Sequence, residues 1–247
     1  MAYDFASLLF AGPCNARCPF CIGKLVDPRL NVDNLGIYPP RGLERWMALI
    51  WEHNIRQVTF SGTTTDPQLY RHEARLLAYL RQHLPGQTQF SLHTNGRLAL
   101  RKMAVFNQYD RASLSIPSFE ASTYRRMMGV SGPPDIENIL RLTDIKIKIS
   151  CITGDENSPQ IGQFLEHCAG LGIRRVALRK PYGEVRPWTA LLPLDKLGLV
   201  LRSEYRSNPV YDYRGMEVTL WDFEQTATKA INLFSNGTIS TDYRLIQ

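Results

Sequence analysis

Short apolar runs alternate along this chain with longer stretches in which apolar positions recur every three to four residues. The runs at 7–12, 57–62, 89–93, 111–116, 145–153 and 174–179 read as strands, bounded by Gly, Pro, Asn and Asp. The stretches at 43–53, 67–83, 98–107, 118–128 joined to 135–142, and 159–169 read as helices. Strands that alternate with helices over short links return in parallel through crossover connections. The fold class expected is therefore α/β, a partial (β/α)6 parallel barrel with a C-terminal extension. The working loops of such a sheet lie at the C-terminal ends of its strands. Residues 23–41, rich in Asn, Asp, Gly and Pro, read as an irregular loop before the first helix. After Gly183 the rhythm changes to a Pro-rich stretch, a helix near 194–205, and strand-like runs at 217–222, 229–234 and 238–243. Ser235-Asn236-Gly237 is a hairpin-turn signal between the last two. Two units are expected: a core at 1–183 and an extension at 184–247 that covers an open side of the barrel.

With 247 residues and 44% hydrophobic content the chain can bury one substantial core. No run of about 18 apolar residues occurs, and the N-terminal stretch carries neither a basic leader nor a small-residue cleavage site. A cytoplasmic protein with no membrane partner is the expectation. The formal charge of +6 is mild and its Lys and Arg residues are dispersed, so no nucleic-acid partner is expected. Three of the five cysteines are clustered, which is not a disulfide framework, and a reducing compartment keeps such thiols available for metal.

That cluster is Cys14-Asn15-Ala16-Arg17-Cys18-Pro19-Phe20-Cys21, three thiols at C-x3-C-x2-C spacing directly after the first strand. Thiolates are the usual protein ligands of iron–sulfur clusters, one per iron, so three on one loop leave one iron of a four-iron cluster open. An open position is where substrate chemistry happens at a metal. The competing reading is a structural Cys3His zinc site, with His53, His72, His93 and His167 available. Cys151 and Cys168, on a predicted strand and helix, read as buried structural thiols.

The spacing, with an aromatic before the third cysteine, resembles the signature of the radical S-adenosylmethionine (radical SAM) enzymes. The resemblance covers roughly residues 7–183. It implies a [4Fe-4S] cluster on Cys14, Cys18 and Cys21, with SAM chelating the open iron and cleaved to a 5′-deoxyadenosyl radical. It also implies a low-potential electron donor such as flavodoxin or ferredoxin. Phe20 falls on the cofactor side of the cysteine loop. Ser61, Gly62, Thr63, Thr64 and Asp66 stand where the family carries Gly-Gly-Glu-Pro for the SAM amino group, with a threonine run in place of the second glycine and Asp66 in place of the glutamate. Thr65 or Asp66 before Pro67 is also good helix-capping chemistry. Thr94, in His93-Thr94-Asn95-Gly96, is expected at the SAM site, and His93 reads equally as a substrate contact or a core histidine.

Ser113 and Ser115 share a strand face, as do Lys146, Lys148 and Ser150. Ser115 is expected near the SAM carboxylate or ribose. A lysine deep in a parallel sheet is costly without an anion, so Lys148 is expected at the SAM carboxylate, with Arg179 closing the same pocket. The phase of the strand is open, and an outward lysine row is the alternative. No catalytic acid or base is assigned.

The pattern around residues 147–157 looks most like the molybdenum-cofactor cyclase and the peptide-modifying branch of the superfamily. No cysteine follows Cys168, however, so one cluster per chain is expected. The function expected is hydrogen abstraction from an unidentified substrate, a peptide or a cofactor precursor, by an oxidoreductase, transferase or lyase. The alternatives are a glycyl-radical enzyme activase and a non-enzymatic iron–sulfur or zinc module. Residues 31–41 and 211–223, including Tyr211, Trp221 and Asp222, are where selectivity is expected.

Overall fold

A computed structural model describes residues 3–246. Six parallel strands form its centre: β1 (Phe5–Phe10), β2 (Gln57–Gly62), β3 (Gln89–Thr94), β4 (Arg111–Ser115), β5 (Lys146–Ile152) and β6 (Arg175–Arg179). They lie side by side in chain order. Between them run helices α1 (Leu43–Glu52), α2 (Glu73–His83), α3 (Met103–Phe106), α4 (Ala121–Met128), α5 (Ile136–Leu142) and α6 (Ile161–Gly170), and a short α7 (Trp188–Leu191) follows β6. The α/β partial barrel is thus as the apolar rhythm implies, and the sheet does not close. None of the described helices is long and apolar enough to cross a membrane.

The two faces of each strand differ sharply. Outward positions such as Leu8, Val58, Phe60, Leu92, Leu114, Ile149 and Leu178 are buried against helix residues including Trp46, Leu77 and Leu165. The inward positions between them, by the two-residue alternation of a strand, are Ser7, Thr59, Ser91, Ser113 and Ser150. Register aligns them in layers: Ser7 with Thr59 and Ser91 below, His93 with Ser113 and Lys148, then Ser115 with Ser150 and Ala177. A closed barrel of this class fills its interior with Val, Ile and Leu. Here most inward positions carry short hydroxyl side chains, and the inward Leu9 of β1 is buried in a small apolar cluster with Val26, Leu30 and Phe234.

Residues after 183 do not form a separate layer. Strand β7 (Val200–Tyr205) pairs with β8 (Asn208–Tyr213), β8 with β9 (Met216–Trp221), and β9 lies parallel beside β6. On the other flank β10 (Ala230–Leu233) lies parallel beside β1, and β11 (Ile239–Ser240) returns beside β10. The same segment therefore extends the sheet at each edge. The helix expected near 194–205 is not formed. Gly198 adopts a positive φ of 66° that ends a short 3-10 turn at Leu194–Lys196, and the chain continues as the exposed edge strand β7. The strand expected at 238–243 shortens to Ile239–Ser240. The helix expected from 67 begins only at Glu73, after a 3-10 turn at Pro67–Leu69.

Phe60 is fully buried between strand and helices, tilted against Phe10 at 5.8 Å and edge-on to Tyr109 at 5.5 Å. Phe60→Ala leaves a cavity among rings that cannot collapse, and we expect it to cost about 3–5 kcal/mol. Urea unfolding of the metal-free protein measures this. A loss under about 1 kcal/mol would mean that the strand faces are assigned the wrong way round.

Candidate functional site

The C-terminal ends of the central strands form one rim, and the cysteine loop leaves it directly after β1. Cys14 is exposed, while Cys18 and Cys21 are half-buried. Cys18 Sγ lies 3.4 Å from Met128 Sδ at the end of α4, and Cys21 Sγ donates to the Thr63 carbonyl at 3.5 Å. Burial pushes the Cys18 thiol up to about 12, with the nearby Cys21 and Cys14 adding to the rise. Cys14, although exposed as a residue, is raised as well by the protein atoms that desolvate its thiol, with Asp66 and Cys21 contributing. Only a bound cation would make thiolates of such groups. Among the described residues no three His, Cys, Asp or Glu side chains are gathered tightly enough to hold a single metal ion.

The loop after β2 is stitched to the start of the cysteine loop. The Thr63 backbone N–H and hydroxyl both donate to the Phe10 carbonyl, at 2.8 and 3.1 Å. Thr64 Oγ1 accepts from the Gly12 N–H at 3.3 Å, and Thr65 Oγ1 donates to the Pro13 carbonyl at 2.5 Å. The hydroxyls of Thr63 and Thr65 are therefore committed to the protein. Two glycines permit the close packing. A Cβ on Gly62 would stand 1.6 Å from the Thr65 carbonyl oxygen, and one on Gly23 would stand 1.8 Å from that of Thr63.

Asp66 is also committed. Buried to 4% exposure, it accepts from the Gln68 and Asn95 N–H groups at 2.9 and 2.7 Å and from the Thr94 hydroxyl at 2.8 Å. Burial still raises its pKa against these bonds. Thr94 is thus a positioning residue for Asp66, and Asn95 Nδ2 carries the tie on to Asn15 Oδ1 in the cysteine loop at 2.7 Å. Asn15, Gly23 and Thr65 are site residues that spacing alone did not single out. Only the glycine carries a sequence signal, two residues after the last clustered cysteine.

Phe20 lies apart from this knot. With Pro19, Ile152, Gly154 and Pro181 it lines a cleft of about 320 Å³ between the cysteine loop and the ends of β5 and β6. Ser61 is half-buried on the inward face of β2, and Ser115 is exposed at the end of β4. The alternation that the sequence left open is resolved for β5. Ile149 and Cys151 pack outward in the core, so Lys148 and Ser150 face the lumen. Lys148 stands level with Ser113 and His93, with Arg179 higher on β6, level with Ile152, and burial lowers it to about 8, helped by Arg179, Arg175 and Arg111. Burial, with Lys148, Arg179 and Arg111, lowers His93 to about 3, so its imidazole is neutral. Asp222, by contrast, is paired with Lys180 at 2.8 Å. Tyr243 enters from the C-terminal segment, within electrostatic range of Cys21 and Arg179, and burial raises its phenol to about 12.

Comparison with known proteins supports the geometry. Among solved structures, Streptococcus suis SuiB bound to the precursor peptide SuiA matches with a TM-score of 0.58 at 16% identity, over 73% of this chain and 40% of that one. The structure titled native anSMEcpe with bound AdoMet matches at 0.54 and 17%, over 72% and 52%. TYW1 with a lysine-pyruvate adduct matches at 0.50 and 15%, over 80% and 74%. The chain spans about half or less of the length of the first two. No curated protein matches it by sequence. The family model described as the radical SAM superfamily matches residues 9–166, the segment from β1 and its cysteine loop into α6. This chain belongs to the radical SAM superfamily, whose members are enzymes that use SAM and an iron–sulfur cluster.

Proposed function

We propose that Cys14, Cys18 and Cys21 hold one [4Fe-4S] cluster and that the enzyme abstracts hydrogen from a substrate placed in the barrel lumen. The observation that carries this reading is the cysteine loop itself. It is pinned to the β2 loop by Thr63, Thr64 and Thr65 so that its three thiols border the open rim. The donor set fits a cluster better than zinc. A tetrahedral zinc needs its ligands drawn together around one ion, and the three thiols are not so gathered. A cluster spreads one thiolate to each of three irons. His72 is held at the Gly36 carbonyl, and His83 at that of Tyr79.

With SAM on its open iron, such a cluster supplies the electron that cleaves the sulfonium to a 5′-deoxyadenosyl radical. The chain's own residues provide position. The backbone of Gly62, Thr63 and Thr64 presents the rim to the SAM amino group, Asp66 and Thr94 fix that backbone, and Ser61 and Ser115 offer hydroxyls at the lumen mouth. Phe20, Ile152 and Gly154 form an apolar slot suited to the adenine ring. Hydrogen abstraction is chiefly a problem of placing one C–H bond, and an open lumen lined with small hydroxyls serves it. SuiB was solved with a precursor peptide, which supports a peptide or cofactor precursor as the substrate here. A flavodoxin- or ferredoxin-like donor and a reducing cytoplasm complete the reading. Residues 1–183 then carry the cofactor chemistry, with 184–247 completing the sheet around it.

Two outcomes are expected. First, Ala at Cys14, Cys18 or Cys21 abolishes iron binding and 5′-deoxyadenosine formation in anaerobically reconstituted protein, whereas Ala at Cys151 or Cys168, both buried in the core outside the strands, leaves about four irons per chain. Stoichiometric zinc without iron would sink the reading. Second, Gly23→Ala forces the cysteine loop off the Thr63 carbonyl. Because the obstacle is backbone, the cost should exceed the roughly 1–3 kcal/mol of ordinary overpacking. Iron content should fall while the far-ultraviolet circular dichroism stays native, and full iron loading in that variant would show that the loop docks elsewhere.

A further inference from the structure

The lumen holds a group of cations that nothing in the protein neutralises. Lys148 on β5 and Arg179 on β6 make no hydrogen bond or ion pair with a carboxylate among the described residues. Arg111 and Arg175 lie within electrostatic range of Lys148, and Glu217 on β9, a carboxylate in that range, is bonded to Arg175 at 2.7 Å. His93, from β3, is neutral. Tyr243, the group that reaches Arg179 from the C-terminal segment, is a neutral phenol. Burial is the leading cause that disfavours the charge on both cations, yet each retains accessible surface. Both side chains thus face accessible space on the inner side of the strands and are not sealed in the core. Buried cations without a partner are strongly unfavourable, and arginine with lysine is the pairing that grips a carboxylate or phosphate.

Two sources of such an oxyanion exist, the carboxylate of SAM and a group on the substrate. The depth of Lys148 decides between them; Arg179 stands higher, paired with Ile152, and comes within electrostatic range of Lys148 from the rim side. The amino acid end of SAM must lie at the cysteine loop, which packs on the β2 loop and the end of α4. Lys148 stands across the barrel, level with Ser113 and His93. That is two residues, about 7 Å of strand rise, below Ser150. We propose that Lys148 and Arg179 form a substrate subsite that binds a carboxylate or phosphate group, so that the substrate of this enzyme is anionic and enters the lumen with that group leading. The assignment rests on the lumen being the substrate site, as argued above. It makes Lys148 and Arg179 substrate-binding residues distinct from the SAM contacts.

The test titrates inorganic phosphate, and malonate as a carboxylate probe, into the anaerobically purified protein by calorimetry, with and without saturating SAM. One anion per chain should bind in either condition. Lys148→Met and Arg179→Met should each weaken it by about tenfold or more, the loss of one charge-assisted contact, with SAM affinity little changed. Arg202→Met serves as the control for general positive charge. Arg202 is exposed on β7 and paired with Asp212, and its loss should change nothing. Because each lumen substitution removes an unpaired buried cation, the thermal midpoint should rise by a few degrees. A lowered midpoint would reveal protein partners for these cations and overturn the proposal. So would absent anion binding, binding unaffected by both substitutions, or one-for-one displacement of the anion by SAM, the last giving the cations to the SAM carboxylate. Failure of the protein to form 5′-deoxyadenosine would strike the cluster reading instead, since the phosphate titration does not depend on turnover.

Discussion

The two-residue alternation of six parallel strands is the constraint on which the other features rest. The strands send Leu, Val, Ile or Phe outward to the helices and mostly Ser, Thr or a cation inward, with Leu9, His93 and Ala177 as the exceptions. The outward half holds the fold together by burial, as at Phe60 and Ile149. The inward half does the opposite of a filled barrel. Serine and threonine are too small to meet across the lumen, and their hydroxyls need water or a ligand. An interior that lacks its own packing can accept a substrate, and it lowers the energetic obstacle to placing cations there only if an anion accompanies them.

The rim obeys a second constraint, that a buried carboxylate must be satisfied by donors. Asp66 has no cation in contact, so it takes the Gln68 and Asn95 amides and the Thr94 hydroxyl. In doing so it ties the β2 loop to the end of β3, and Asn95 extends the tie to Asn15 between the cysteines. The threonine run that replaces a glycine of the usual family motif supplies hydroxyls that bind Phe10 and Pro13 carbonyls. A departure from the motif is here a change in how the loop is anchored.

The central strands were legible because each is a compact apolar run ending in a turn signal, and β2 falls at 57–62 as the pattern indicates. The cysteine loop was legible because thiol spacing is local. The orientation of Lys148 was not, since Ile147 and Ile149 alternate with Lys146 and Lys148 and either row could face a helix. Packing of Ile149 and Cys151 with Phe164 and Leu165 settles it, and that contact is long-range. The hairpin of β7 and β8 was hidden for another reason. Its two-residue turn is Arg206-Ser207, with φ of 53° and 63°, where Asn or Gly would have announced it. The apolar spacing around Leu194 to Leu201 then mimics a helix, and only Gly198 argues otherwise.

The C-terminal segment shows why selectivity here cannot be lodged in a detachable cover. Strand β9 flanks β6 and β10 flanks β1, so the same stretch of chain supports the wall that carries Arg179 and the wall that leads to the cysteines. Arg206 pairs with Asp4 and joins the β7–β8 turn to the start of β1, which draws the two flanks toward each other below the rim. Tyr243 comes within electrostatic range of both the thiol of Cys21 and the guanidinium of Arg179, so the segment that extends the sheet at both edges also brings a ring to the end of the barrel where the cysteine loop leaves it.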